Sequence, residues 1–292
     1  MTALAHEGPI VRKNQRLGVR HAISFAGVAL TAACASLGAI VLLIILVYVT
    51  VQGLGAIDPA FLTQLPVPVG EPGGGLANGV VGTVMTVGIA TLIATPIGLL
   101  CGLFLAIFGR GWIPEVVRFI SDVLSGIPSI AIGLFAYILL VAPFRHFSAV
   151  SASFAFALLM LPIILRTSEE AIRSVPRAIR EGALALGMSE FSATMRIVVP
   201  AARPAIITGL LLSIARVTGE TAPLLFTAFG SPFWEFNPRN PMAQLPLQIF
   251  NYAISPYKNW HQQAWGGALE LILAVLALNI LARVVLSPRW RR

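Results

Sequence analysis

The stretch Gly79-Val80-Val81-Gly82-Thr83-Val84-Met85-Thr86-Val87-Gly88-Ile89-Ala90-Thr91-Leu92-Ile93-Ala94-Thr95-Pro96-Ile97-Gly98-Leu99-Leu100-Cys101-Gly102-Leu103-Phe104-Leu105-Ala106-Ile107-Phe108 holds no charged residue. About 20 apolar residues at 1.5 Å per residue cross a hydrocarbon layer of roughly 30 Å, so this run spans a membrane as a helix. The whole chain has the same character. Of 292 residues, 57% are hydrophobic and 11% are charged, with a mean hydropathy of +0.85. Soluble domains carry about 25% charged residues, so a water-soluble globule is excluded.

Five further apolar stretches flank the first, at 22–51, 119–142, 148–165, 204–229 and 265–286. They predict an all-α membrane protein of about six spans, with a tail over 1–21, a transmembrane region over 22–286 and a second tail over 287–292. Thr31-Ala32-Ala33-Cys34 has the look of a lipoprotein cleavage site. Apolar sequence runs on to Val51, longer than a cleaved leader needs, so the stretch reads as a retained first helix.

Basic residues set the orientation. Placing the N-terminus inside puts Arg12, Lys13, Arg16, Arg20, Arg110 and Arg118 in the cytoplasm. Arg166, Arg173, Arg177, Arg180, Arg196 and Arg203 join them in the fourth connection, and Arg283, Arg289, Arg291 and Arg292 in the tail. Only Arg145, Arg239 and Lys258 fall outside, and Arg216 lies within a span. This bias predicts both termini in the cytoplasm. The formal charge of +8 is therefore a membrane-flanking pattern rather than a nucleic-acid stripe.

The first outside connection, around Pro66-Val67-Pro68-Val69-Gly70-Glu71-Pro72-Gly73-Gly74-Gly75, reads as irregular, and no Gly-Lys-Ser/Thr follows its glycines. The segment 230–264 carries Trp234, Phe236, Phe250, Tyr252, Tyr257 and Trp260, which fit interfacial anchors or a surface for an exterior partner. His6, His21, His146 and His261 lack metal-ligand spacing, and Cys34 and Cys101 lie in separate apolar runs. The chain has no Walker sequence and no Gly-x-Ser-x-Gly elbow, so no cofactor is expected on it.

Two segments carry chemistry. In the connection over about 174–203, Pro176 suits a helix start, Gly187 a left-handed helix end, and Ser189 the cap of a second short helix before Pro200. Two partly apolar helices facing the cytosol call for a partner groove, or for the underside of the bundle itself. Glu181-Gly182-Ala183-Leu184-Ala185-Leu186-Gly187 carries the spacing of this segment. The second segment is Ala215-Arg216-Val217-Thr218-Gly219-Glu220-Thr221-Ala222-Pro223-Leu224-Leu225, inside the fifth span. Arg216 and Glu220, four apart, share a helical face and are costly in lipid. They read either as a mutual ion pair that stitches helices, or as a planar cation offered to an oxyanion and held by its carboxylate neighbour. Gly98-x-x-x-Gly102 permits close helix approach. Asp122 reads as a helix-end or inter-helix contact.

The segment at Glu181, Gly182, Ala183 and Gly187 resembles the EAA loop of ABC-importer permeases, with Gly182 where the family usually has Ala. The fifth-span segment resembles a signature of PstA-type permeases of phosphate importers. Ser125-Gly126-Ile127-Pro128-Ser129-Ile130-Ala131-Ile132-Gly133-Leu134-Phe135, Leu161-Pro162-Ile163-Ile164-Leu165-Arg166-Thr167-Ser168-Glu169-Glu170 and Asn279-Ile280-Leu281-Ala282-Arg283-Val284-Val285 resemble that family as well, so that the likeness runs from about Asn78 onward. It implies the type I ABC-importer permease fold in a prokaryotic inner membrane. It also implies a heterodimeric pore with a PstC-like permease, a PstB-like ATPase pair that binds the ATP, and a PstS-like phosphate-binding protein outside. Arg216, Thr218, Glu220 and Arg166 then become the expected substrate-pathway residues, and Glu181, Gly182, Ala183 and Gly187 the expected ATPase-coupling residues.

The rival readings are a permease for sulfate or molybdate, a secondary transporter, and a membrane-embedded enzyme. A secondary transporter would need internal repeats, and none is evident. An enzyme would need an acid–base pair beside a nucleophile, which Glu220, Asp122 and Arg216 do not form.

Overall fold

A computed structural model describes the backbone of residues 10–69, 71 and 73–286, with side chains over 18–69, 71 and 73–281. Gly70 and Pro72 of the first loop, the side chains of Arg12, Lys13, Arg16 and Arg283, and the basic residues Arg289, Arg291 and Arg292 lie outside the described residues. Among the described residues all regular structure is helical: α1 (Ile10–Leu54), α2 (Pro59–Thr63), α3 (Ala77–Ile107), α4 (Trp112–Gly126) and α5 (Ser129–Ala136). A π turn over Tyr137–Val141 leads into α6 (Ala142–Phe144), followed by α7 (Ala149–Arg173), α8 (Arg177–Ala185) and α9 (Glu190–Ala193). A second π turn, Thr194–Val198, precedes α10 (Val199–Thr218), and α11 (Leu224–Thr227), α12 (Leu245–Ala253) and α13 (Lys258–Leu286) complete the chain.

Residues 1–51 and 52–292 form separate units. The first is described as α1, whose helix reaches back to Ile10, into the segment read as a tail; Gly18–Leu54 is long and apolar enough to cross a membrane. Ala77–Ile107, Ala149–Arg173, Glu190–Thr218 and Lys258–Leu281 meet the same test, which gives five spans. A sixth follows if Trp112–Gly126 and Ser129–Phe144 are counted as one.

That sixth span departs from the continuous stretch expected over 119–142, because its two helices meet at 103°. The cause is local. Pro128 disfavours the helical region for the residue before it, and Ile127 takes φ −70°, ψ 130° while Pro128 takes ψ 136°. A second departure concerns the fourth connection. No helix ends before Pro200: α9 continues through the π turn into α10, forming one apolar helix from Glu190 to Thr218. Val199 N–H bonds the Thr194 carbonyl, five residues back, and this extra residue per turn absorbs a proline that has no N–H to give. The fifth membrane helix therefore starts inside the connection, and it ends at Thr218 rather than at Phe229.

Helix α7 is the axis of the second unit, two-thirds buried over its apolar window where the other spans of this unit are 22–28% buried. It packs along α3 through a seam of small residues. A Cβ at Gly98 would meet Ile164, and one at Gly102 would meet the Leu165 carbonyl and Ser168, so this pair brings the backbones together where apolar surface offers no driving force in lipid. Further along, Ala90, Ala94, Ala152 and Ala155 are all fully buried. Ser153 Oγ donates to the Thr86 carbonyl at 3.0 Å.

The segment read as an exterior loop folds back onto the N-terminal part of α3. Gln244 is fully buried and donates to Thr86 Oγ1 at 2.6 Å. Leu245 N–H donates to Thr83 Oγ1 at 2.9 Å, and Asn78 Nδ2 donates to the Ser231 carbonyl at 2.8 Å. Polar side chains of α3 thus pair with buried and half-buried polar groups of the returning segment.

Candidate functional site

At the C-terminal end of α10, Arg216 occupies the last turn and Glu220 lies just past the helix, whose cap Gly219 bonds back to Arg216 and Val217. The signature segment is therefore half helix and half irregular chain, and Glu220 is not on the helix as its spacing suggested. Its backbone N–H still reaches the Val217 carbonyl at 3.1 Å, so its side chain stays near the arginine. Arg216 Nε stands 3.9 Å from Glu220 Oε1, beyond hydrogen-bond reach, and the Arg216 side chain is 52% exposed. Thr218 Oγ1 donates to the Ile214 carbonyl at 2.7 Å, which commits its proton to its own helix. Arg216 thus presents a loosely held guanidinium fork, able to take a tetrahedral oxyanion on two N–H groups.

The irregular half is set by packing. A Cβ at Gly133 would lie 2.6 Å from Pro223 Cα, so the bent α4–α5 pair and the end of the fifth membrane helix meet at that glycine. Leu224 and Thr227 behind it are fully buried. The motifs at 125–135 and 215–225 thus meet in the structure.

Arg166 sits elsewhere. Gly209 of α10 abuts Thr167 of α7, and it precedes Arg216 by seven residues, about 10 Å along a helix axis. At that deeper level Arg166 Nε donates to Asp122 Oδ1 at 3.1 Å, with a second nitrogen closer to the same carboxylate, and its Nη1 lies 3.6 Å from Glu169 Oε2. Asp122 is accordingly an inter-helix contact between α4 and α7. Arg166 is not brought beside Arg216.

Sequence reasoning passed over the centre of this second cluster. Glu169 is 3% exposed. Its Oε1 receives Arg118 Nε at 2.9 Å, Arg118 Nη2 at 2.8 Å and Arg173 Nη2 at 2.9 Å. Arg118 and Arg173 also donate to the Leu105 carbonyl at 3.3 and 3.1 Å, which caps the carbonyl-rich end of α3 with positive charge. The signal was present in the spacing, since Arg166, Glu169 and Arg173 stand at i, i+3 and i+7 on one helical face. Glu270 was also passed over. It lies mid-way along α13, and its Oε2 is buried with no hydrogen-bond partner; a lone acid in an apolar run is its trace in the sequence.

At the opposite end of the bundle from Arg216, α8 closes in a Schellman turn. Gly187 has φ +82°, its N–H bonds the Leu184 carbonyl at 2.9 Å, and Met188 N–H bonds the Ala183 carbonyl at 3.2 Å. Pro176 caps α8 rather than opening it. Ser189 Oγ accepts from Ser192 N–H, as a cap should. Ala183 is buried, Glu181 and Gly182 are exposed, and Leu186 is 86% exposed at the tip.

Residues 94–291 match the sequence pattern of the binding-protein-dependent transport system inner membrane component. The chain is 44% identical over 239 residues to the phosphate transport system permease protein PstA of Yersinia pestis, covering 82% of this chain and 81% of the relative. It is 44% identical over 234 residues to that of Haemophilus influenzae, covering 80% and 83%. The chain belongs to the PstA family of binding-protein-dependent transport permeases. A probable PstA of Methanocaldococcus jannaschii is 34% identical over 244 residues, covering 83% and 86%. The fold likeness reaches beyond the family. A chain of the inward-facing MetNI methionine ABC transporter superposes with a TM-score of 0.62 at 17% identity, over 72% of this chain and 94% of that one. This PstA-family member is a multi-pass inner-membrane permease with the type I ABC-importer fold, and it is a non-catalytic membrane component of its transporter.

Proposed function

We propose that this chain is the permease subunit of an ATP-driven inorganic phosphate importer and forms half of its translocation pathway. The observation that carries the reading is Arg216, a permanently charged fork at the end of a membrane helix, half open and held only at 3.9 Å by Glu220. A cation in that position is costly in lipid and earns its place by facing a water-filled path. The relatives named PstA make phosphate the anion, ahead of sulfate or molybdate. Glu220 orients the arginine and repels the dianion, while Thr218 and Arg166 are already committed to protein groups.

The partners follow from the same reading: a PstC-like permease beside this chain, a PstB-like ATPase pair below it, and a PstS-like phosphate-binding protein above. Exposed Leu186 and the rigid turn at Gly187 fit a knob that seats in an ATPase cleft, with both termini on that side. The ATPase binds and hydrolyses the ATP, and no Walker sequence on this chain competes for the role.

Uptake of radiolabelled phosphate by membranes holding equal amounts of complex tests the reading. Arg216→Lys keeps the charge but loses the planar fork, and partial loss is expected; Arg216→Met should abolish uptake. The double change Arg216→Met with Glu220→Leu removes an ion pair without leaving a lone charge, and such swaps are often near neutral for folding. Its expected result is an assembled complex that does not transport. Full transport by the double variant, or uptake of sulfate in place of phosphate, would overturn the proposal.

A further inference from the structure

Below the end of α3, an open cleft of about 1050 Å³ is bounded by residues 106–110, the α7–α8 connection and α8. Arg110, Arg173, Arg177 and Arg180 line it, against two acids, Glu181 and Glu190. Arg173 is engaged by Glu169, and Arg180 reaches Glu190 at 3.3 Å. Arg180 Nε is nonetheless buried without a hydrogen-bond partner, and a buried donor left unpaired costs about 1–3 kcal/mol. Arg110 and Arg177 make no ion pair among the described residues. The cleft is therefore short of acceptors and in excess of positive charge, which calls for a bound anion.

A second cavity, of about 410 Å³, shares Ile107, Phe108, Glu190 and Thr194 with the cleft. Its other walls are apolar: Leu100, Leu103, Phe104, Phe191 and Met195. It runs back along the last turns of α3, a membrane-crossing helix. A free anion would satisfy the arginines and leave this cavity empty. An anion attached to an acyl chain fills both, and basic pockets at the cytoplasmic ends of membrane helices hold such headgroups.

We propose that the two cavities together form a site for an anionic phospholipid of the inner leaflet, its phosphodiester among Arg110, Arg177 and Arg180 and one acyl chain along Leu103 and Met195. The inward orientation of this end is taken from the function proposed above. The lipid would bridge the α3–α4 connection and the start of α8, tying the exposed turn at Gly187 to the membrane plane. The chemistry needed is a phosphate ester, which inorganic phosphate shares in part, so the test separates the two sources.

Native mass spectrometry of the detergent-solubilised transporter, titrated with phosphatidylglycerol and with phosphatidylcholine of the same acyl chains, reads the site directly. Phosphatidylglycerol is expected to be retained about tenfold better, because both lipids offer the same phosphodiester but the choline cation of phosphatidylcholine cancels its net charge and is repelled by the arginines. Arg110→Gln with Arg177→Gln should lower its retention to that of phosphatidylcholine, and Arg110→Lys with Arg177→Lys should keep most of it. Met195→Trp, which fills the apolar cavity and leaves every arginine in place, should also lower it. Equal retention of the two lipids, unchanged retention in the Gln pair, or displacement by millimolar inorganic phosphate would each overturn the proposal. Wild-type phosphate uptake is measured separately, so failure of the transport reading is visible on its own and leaves the lipid titration interpretable.

Discussion

Glu169 shows how a single carboxylate can organise one end of a membrane protein. Burial of a charge is costly unless it is paired, and here three arginines from α4 and α7 converge on one group that is 3% exposed. Two of them go on to the Leu105 carbonyl, so the ion cluster and the cap of α3 share donors. Glu169→Ala would leave three arginines facing one another. Removing one partner of a buried pair costs about 3–5 kcal/mol, and a value near the low end, about 3 kcal/mol, is expected because the arginines remain 20–47% exposed to water. Glu169→Gln keeps the shape and one acceptor and should cost less. Thermal unfolding of the solubilised complex, followed by intrinsic fluorescence, should rank wild type above Gln and Gln above Ala. Equal midpoints for all three would mean that the arginines are satisfied without this carboxylate. Glu169 escaped notice because its spacing to Arg166 and Arg173 also fits an ordinary charged helix end; burial is what separates the two.

At the scale of elements, the end of α8 and the bend between α4 and α5 are both written locally, by Gly187 and by Ile127-Pro128. A left-handed conformation costs a residue with a Cβ about 1–2 kcal/mol, so Gly187→Ala should weaken the turn and leave it formed. Proline is locked near φ −65° and has no N–H for the Leu184 carbonyl, so Gly187→Pro should displace α8 altogether. If this turn couples the chain to an ATPase, the Pro variant inserts normally but loses copurifying ATPase and ATP-driven uptake, while the Ala variant keeps part of both. Normal uptake by the Pro variant at wild-type abundance would remove the coupling role. The run of α9 into α10 was less legible. Pro200 reads as a helix stop, and only the π turn before it, supported by packing of Val198 and Ala202 on Ala171 and Ile172, lets the helix continue.

For the molecule as a whole, the arrangement of charge predicts sidedness. Reporter fusions at Gly74 and Asn240 should behave as exterior, and fusions at Glu181 and Arg292 as cytoplasmic. An exterior signal at Glu181 would contradict the inward placement of the Gly187 turn and of the cationic cleft together, since both lie at the same end of α3 and α7. The fold-back of residues 242–248 onto α3 adds a condition: a fusion within it should disturb assembly, because Gln244 and Leu245 are bonded to Thr86 and Thr83.

Hydropathy was sufficient for the membrane class and for a count of about six spans, and glycine's backbone preference for the turn at Gly187, because each depends on transfer energies or backbone preferences that act residue by residue. The motifs likewise marked out the segment around Arg216. Which arginines are free was decided only in three dimensions. In sequence, Arg166 stands at the end of one apolar run and Arg216 inside another, and both were expected to line the substrate pathway. Yet Arg166 finds Asp122 across a helix interface and Glu169 one turn along its own helix, whereas Arg216 finds a single carboxylate at 3.9 Å. Pairing across helices depends on register, and register comes from small-residue seams such as that of Gly98 and Gly102 against α7; the spacing of the two glycines is legible in the sequence, but the residues they meet are not.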